Sequence, residues 1–199
     1  MTHDVAHVQE FFGARAAGWD ARFPGDDPAF AVGVAALGLR TGDVVLDAGC
    51  GTGRALPVLR AAVGSSGKVI RADITREMLE AGARTGRGRA GTLLLADVAR
   101  LPLRPESLDA VFAAGLFGHL RQPAENLREM ARVVRPGGRL ALFHVIGRAA
   151  LAARQGRPLT KNDLLEETNV RPLLRSSGWQ LASYADEDAY FLALAVRQS

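Results

Sequence analysis

Val44–Arg54 reads VVLDAGCGTGR, and this stretch decides how the rest of the chain is read. Val44, Val45 and Leu46 form a short apolar run of the kind that makes a strand buried on both faces. Asp47 ends the run, and Gly49, Gly51 and Gly53 follow at alternate positions. With no Cβ to obstruct it, such a backbone turns sharply and comes close to a ligand. Arg54 to Ala62 then reads as a helix. Strand, glycine turn and helix in that order make a nucleotide-type site at the carboxyl end of a parallel strand.

Spacing narrows the ligand. A dinucleotide fingerprint requires G-x-G-x-x-G/A. Counting from Gly49 the last position is Arg54, and counting from Gly51 it is Leu56, so neither register fits. Gly64-Ser65-Ser66-Gly67-Lys68 lacks the spacing of a phosphate loop. Asp47-Ala48-Gly49-Cys50-Gly51-Thr52-Gly53 instead closely resembles the first motif of the class I S-adenosylmethionine (SAM)-dependent methyltransferases. The resemblance continues in family order from about residue 41 to 146. VIRADITREML is similar to the acidic second motif, LLLADVARLPLRPESLDAVFAAGLFGHL to the third and fourth, and LREMARVVRPGGRLAL to the helix-turn-strand that closes the binding half. The opening FFGARAAGWDARF resembles the entry helix of the small members that include ubiquinone and menaquinone biosynthetic enzymes. One departure stands out: Arg71-Ala72 occupies a place where small or branched apolar residues are usual.

Asp73 ends the second predicted strand, twenty residues beyond Gly53. A carboxylate there can accept hydrogen bonds from both ribose hydroxyls; the plainer alternative is a helix-start carboxylate beside Thr75. Ile74 is placed to cover one face of an adenine ring. Asp97-Val98 follows the third strand, where an acid accepts from the adenine amine and the next N–H donates to a ring nitrogen. An ordinary loop aspartate is the competing reading of Asp97. The family resemblance implies that the Gly49 and Ala114 carbonyls, with Asp47 nearby, meet the methionine ammonium. It also implies that the entry helix covers the cofactor, making Trp19 and Asp20 wall residues. Cys50, inside the turn, is expected as a small buried residue at the same site.

The chain has 199 residues and a mass of 21.1 kDa, enough for one domain with a substantial core. Hydrophobic residues make up 48% and charged ones 23%, an ordinary balance for a globular protein. No apolar run approaches the roughly 20 residues of a membrane span, and MTHDVAHVQEF lacks the basic and apolar segments of a signal peptide. A single cysteine excludes an internal disulfide and fits a reducing cytoplasm, where the protein is expected. The net charge of +4 comes almost wholly from arginine, since Lys68 and Lys161 are the only lysines among 25 basic residues. The cluster Arg84–Arg89 falls in a predicted loop. The stripe Arg128, Arg132 and Arg135 is accompanied by Glu125 and Glu129, so both read as solvated faces and nucleic-acid binding is not indicated.

Outside the turn, the pattern predicts a helix over Val5–Phe23, a break at Pro24–Pro28 and a second helix over Phe30–Leu39. Strands are expected at Lys68–Ala72, Thr92–Ala96, Leu108–Ala113 and Arg139–Val145. Helices are expected from Thr75, a candidate N-cap, to Ala83, and over Gln122–Val134. Gly147–Leu159 reads as a polar connection, and Thr160 with Asp163 as a capped helix start leading to Gly178. Trp179–Tyr184 and Tyr190–Val196 are two final strands about the turn Ala185–Asp188. Alternating strands and helices give a doubly wound α/β sheet. The resemblance implies a Rossmann-like seven-stranded version, order 3-2-1-4-5-7-6, with only the seventh strand antiparallel. The expected organisation is one domain: a helical cover (1–40), a SAM-binding half (41–146) and a substrate-side connection with the final strands (147–199).

Methyl transfer is an in-line displacement at an already activated sulfonium, so alignment and exclusion of water are much of the task. A general base is required only when the acceptor loses a proton. The histidines His3, His7, His119 and His144 form no metal-ligand spacing. His119 and His144 fall at the ligand-bearing ends of strands and are the candidates for acid–base work, with packing or hydrogen bonding as the alternative. Trp19 and Phe23 are candidates for an apolar acceptor wall, and Arg148, Arg154 and Arg157 for binding a carboxylate or phosphate. The expected reaction is methyl transfer from SAM to a small or medium organic acceptor, yielding S-adenosylhomocysteine. A non-catalytic SAM-binding subunit or sensor, and an RNA or protein methyltransferase, remain as other readings.

Overall fold

The computed structural model describes residues 5–25, 27–87 and 91–199. His3 and Arg89 lie outside them. Seven strands form one sheet: β1 (Val44–Ala48), β2 (Lys68–Asp73), β3 (Thr92–Leu95), β4 (Leu108–Ala114), β5 (Val134–His144), β6 (Trp179–Glu187) and β7 (Tyr190–Arg197). Their spatial order is β3-β2-β1-β4-β5-β7-β6, with β7 antiparallel to both neighbours. Helices α1 (Val5–Gly13), α2 (Asp27–Ala36), α3 (Leu56–Val63), α4 (Arg76–Arg84), α5 (Pro123–Val133), α6 (Arg148–Arg154) and α7 (Glu167–Ser176) complete the fold. None of the described helices is long and apolar enough to cross a membrane.

The central strands are mostly apolar because both faces of the sheet are covered. Successive side chains point to opposite sides. Leu46 therefore joins Val111, Leu127, Met130, Leu140 and Leu174 on one face. Val45 joins Phe112, Leu56, Leu59, Val63 and Val34 on the other. Trp179 is fully buried against the first group, and its indole N–H donates to the Leu127 carbonyl at 2.9 Å. Burying an aromatic body while satisfying its polar tip makes this a strong anchor for the final hairpin. Strand order reverses between β1, which pairs with β2, and β4, which pairs with β1 on its other side. Ligand crevices of open α/β sheets lie at this reversal, beyond the carboxyl ends of the strands.

Several boundaries differ from the sequence expectation for identifiable reasons. The first helix stops at Gly13 and gives way to short 3-10 turns at Ala16–Gly18 and Asp20–Arg22. Helix α3 starts at Leu56 rather than Arg54, because the glycine turn occupies the preceding residues. Thr75 sits at the N-cap of α4 but makes no side-chain cap; the Asp73 carboxylate instead accepts the Thr75 N–H at 2.8 Å. Pro136-Gly137-Gly138 lies within β5 instead of ahead of it. Leu108 pairs with Val134 and Ala110 with Arg139, so the intervening residues bulge out of the ladder. The connection after β5 contains α6. Helix α7 begins only at Glu167, because the Asp163 side chain spends its acceptor on the Leu165 N–H. Register pairing carries the last hairpin to Glu187 and Tyr190, leaving a two-residue turn.

Candidate cofactor and acceptor site

The turn after β1 is built around positive backbone angles at Gly49, Gly51 and Gly53, with φ of 67°, 53° and 78°. L-residues avoid this region, which fixes glycine as the fitting residue. The Cys50 N–H donates to the Ala72 carbonyl at 3.0 Å and the Gly51 N–H to Asp73 Oδ2 at 2.8 Å, so the end of β2 holds the turn in shape. A Cβ added at Gly53 would meet Leu56 Cδ1 at 2.5 Å, whereas one added at Gly51 would meet nothing within 4 Å. Gly51 therefore borders open space.

That space is a cavity of about 970 Å³ beyond the carboxyl ends of β1, β2, β3, β4 and β5. From the strand ends and turns it is lined by Asp47, Gly49, Cys50, Gly51, Asp73, Ile74, Asp97, Val98 and Ala114. Gly53, expected with them, is not part of the lining; its positive φ closes the turn against Leu56. The Asp97 carboxylate accepts the Ala99 N–H at 2.9 Å. His119 and His144 also face the cavity. The His119 ring meets Phe12 edge-on, with centroids 5.0 Å apart, and His144 Nδ1 lies 3.1 Å from the Ile146 carbonyl.

Electrostatically the floor is acidic and buried. Asp47 is 2% exposed, and burial together with the neighbouring Asp73 pushes its carboxyl up to about 7, against the pull of Arg71. Its Oδ2 is buried and has no hydrogen-bond partner among the described residues. Burial also raises Asp73, opposed by the N–H groups of Thr75 and Gly51 that bond to it. The Cys50 thiol is pushed well above its ordinary value by burial and by the two aspartates.

The N-terminal segment forms the opposite wall. Thr52 Oγ1 donates to Asp20 Oδ1 at 2.6 Å, and the other Asp20 oxygen pairs with Arg87. Arg54 donates to the Phe23 carbonyl at 2.8 Å, and the Gln9 amide to the Ile74 carbonyl at 2.9 Å. These bonds hold Phe12, Trp19 and Phe23 over the cavity as a chain of ring contacts. Asp20 is thus a fastener of this wall and not part of its lining. In sequence Arg87 reads as part of the solvated Arg84–Arg89 cluster, which its pairing with Asp20 corrects, and Thr52 and Arg54 carry no sign of a fastening role, because nothing local marks a partner more than thirty residues away.

The three arginines expected to bind an acceptor part company. Arg154 lines the cavity, its guanidinium 5.2 Å from the centre of the Phe23 ring. Arg148 is 6% exposed and faces away from the cavity. It bonds to Asp186 at 3.0 Å and Glu166 at 2.7 Å, with Asp163 at 3.6 Å. Its charge is already balanced by protein carboxylates, so it corrects the expectation of an acceptor ligand. Arg157 pairs with Asp163 at 3.5 Å and also lies off the cavity. Arg148 instead ties α6 to the β6–β7 hairpin. Arg148→Met should lower stability by about 2 kcal/mol in chemical denaturation, because Asp186 and Glu166 lose their partner, Asp163 keeps only Arg157, and all three remain close enough to water to rehydrate. SAM affinity measured alongside should stay within about 0.5 kcal/mol of the parent.

Comparisons with known proteins bear on the family and the fold. A family model described as a methyltransferase domain matches residues 46–142. An uncharacterized 37.1 kDa protein in transposon TN4556 of Streptomyces fradiae is 43% identical over 108 residues, 54% of this chain and 31% of that protein. The ubiquinone/menaquinone biosynthesis C-methyltransferase UbiE of Hahella chejuensis is 33% identical over 156 residues, 72% of this chain and 61% of its own. The chain spans less than two thirds of the length of these curated relatives. The structure of a Burkholderia thailandensis 1,6-didemethyltoxoflavin-N1-methyltransferase, with 1,6-didemethyltoxoflavin and S-adenosylhomocysteine bound, superposes with a TM-score of 0.70. It is 19% identical, over 98% of this chain and 88% of that one, a likeness of fold. With the strand order and the glycine turn, these matches show a methyltransferase domain over residues 46–142, set in the Rossmann-like fold of the class I SAM-dependent methyltransferases.

Proposed function

We propose that this protein transfers the methyl group of SAM to a small or medium organic acceptor. The observation that carries this reading is one continuous cavity. It runs from the glycine turn, past the orphaned Asp47 carboxylate oxygen, to the aromatic wall of Phe12, Trp19 and Phe23. Asp73 accepts the ribose hydroxyls, Ile74 covers the adenine, and Asp97 with the Val98 N–H reads its edge. Asp47 and the carbonyls of Gly49 and Ala114 take the ammonium group, an assignment supported by a buried acceptor atom that lacks a partner. When bound, SAM supplies a methyl group on a positively charged sulfur. The chain's own share is to align the acceptor and keep water out, which the fastened N-terminal wall does.

His119 and His144, on the cavity side of β4 and β5, are the groups to hold or receive a proton when the acceptor atom carries one. Arg154 supplies a cation at the aromatic end and favours an acceptor with an acidic group next to an apolar body. The reading includes a cytoplasmic location, supported by the single free thiol of Cys50. Release of S-adenosylhomocysteine should be measured with a panel of aromatic and aliphatic acids and their neutral analogues. Turnover should depend on an added acceptor, and Arg154→Ala should raise the acceptor KM while SAM affinity stays within about 0.5 kcal/mol. A protein that binds SAM and turns over none of the panel contradicts the enzymatic part of the reading.

A further inference from the structure

Arg71 is the residue at which this chain departs from the family pattern, and its surroundings give it work to do. It is 3% exposed, in the middle of the sheet, where an arginine is costly unless its charge is answered. Its register partner on β1 is Asp47, so the two side chains leave the sheet on the same face. Arg71 Nε and Nη1 have no hydrogen-bond partner among the described residues, and neither does Asp47 Oδ2. Asp73, two residues along the same strand, brings a second buried carboxylate to the neighbourhood. Beneath the glycine turn there are thus two buried acids and one buried cation.

We propose that Arg71 is a positioning residue for cofactor binding: its charge, on the same face of the sheet as its register partner Asp47, favours the carboxylate form of Asp47 that receives the cationic ammonium end of SAM. The proposal rests on the cofactor assignment made above. Two neighbouring buried carboxylates disfavour each other's charge unless a counter-ion answers it. Asp73 raises Asp47 and Arg71 opposes it, so removing Arg71 leaves only influences that favour the neutral acid. A neutral Asp47 attracts an ammonium group far less than a carboxylate does. Cys50 shares the same field, its thiol raised by both aspartates and lowered by Arg71. Facing the cavity from other elements are Asp97, Arg100, Arg54, His119, Arg121, Glu125, His144 and Arg154. All of these remain in place in the variants below, so a difference between variant and parent isolates Arg71.

The test compares SAM with 5′-methylthioadenosine, which keeps the adenosine and lacks the amino-acid end. Affinities of both are measured by calorimetry from pH 6 to 9 in the parent, Arg71→Leu and Arg71→Gln. Taking the one cation from beside two buried acids destabilises the fold, so each variant is first checked for a native circular dichroism spectrum, and glutamine provides a second neutral side chain should leucine fold poorly. SAM should bind at least about tenfold more weakly at pH 7 in both variants, one pK unit of lost support for the carboxylate. The pH at which SAM affinity levels off should move upward, because the charged form of Asp47 is reached later. Binding of 5′-methylthioadenosine should be unchanged, and Arg71→Lys, which keeps the charge, should recover most of the affinity for SAM. On an Asp47→Asn background, Arg71→Leu should have no further effect on SAM.

Equal loss of both ligands would mean that Arg71 merely shapes the turn, and would overturn the proposal. Unchanged SAM affinity and pH profile in the neutral variants would overturn it as well. Failure of the parent protein to bind 5′-methylthioadenosine or SAM at all would instead refute the cofactor assignment, and the proposal with it.

Discussion

Asp73→Ala is expected to weaken SAM binding by about 3 kcal/mol, the upper range for a hydrogen bond to a charged group. Its carboxylate does two things at once. One oxygen accepts the Gly51 N–H and the other the Thr75 N–H, both at 2.8 Å, while the residue lines the cavity. Alanine therefore removes the proposed ribose contact, frees the glycine turn and leaves two donors without acceptors. Thermal denaturation should record a loss in the apoprotein too, since a buried unsatisfied donor costs about 1–3 kcal/mol. Asp97→Ala should cost less, because Asp97 supports only its own loop through Ala99. Unchanged SAM affinity in Asp73→Ala would move the adenosine away from the end of β2.

Gly51→Val should reduce SAM affinity at least about a hundredfold, near 2.7 kcal/mol, and leave a folded protein. The contrast with Gly53 explains why. A side chain at Gly53 strikes Leu56, so substitution there damages the protein itself. A side chain at Gly51 meets no protein atom and stands in the cavity, where it displaces the ligand. Holding valine at a φ of 53° is strained, and strain of this kind costs about 1–3 kcal/mol. Circular dichroism should remain native-like while calorimetry shows binding lost. Retained binding would mean that the ligand does not approach the turn.

The parts of this site that could be read from sequence are those whose chemistry is local along the chain. The glycine turn, Asp73 and Asp97 each follow a strand within a few residues, and the strand pattern alone orders them. Family topology then implied the order of all seven strands, including the antiparallel β7. What stayed out of reach depends on contacts between distant segments. Asp20 reaches Thr52 across 32 residues and Arg87 across 67, and Arg148 reaches Asp186 across 38. A sequence shows such arginines as surface-loop charges, because nothing near them in the chain reveals the carboxylates that will enclose them. Arg71 is an intermediate case. Its position in an apolar strand marked it as unusual, but only the register with Asp47 shows what it faces. Helix boundaries slipped for a related reason. The start of α7 follows Asp163, whose side chain accepts the Leu165 N–H and so competes with helical continuation.

The central claim is that the cavity above the glycine turn is a SAM site, and ligand-dependent stability tests it most directly. At a concentration a hundred times its dissociation constant, a ligand bound only by the folded state adds about 2.7 kcal/mol. S-adenosylhomocysteine and SAM should each bind with one-to-one stoichiometry in calorimetry and raise the melting temperature, and NAD and ATP should do so far less. Absence of binding by both methyl-cycle ligands at millimolar concentration, to a protein that is otherwise folded, would contradict the account.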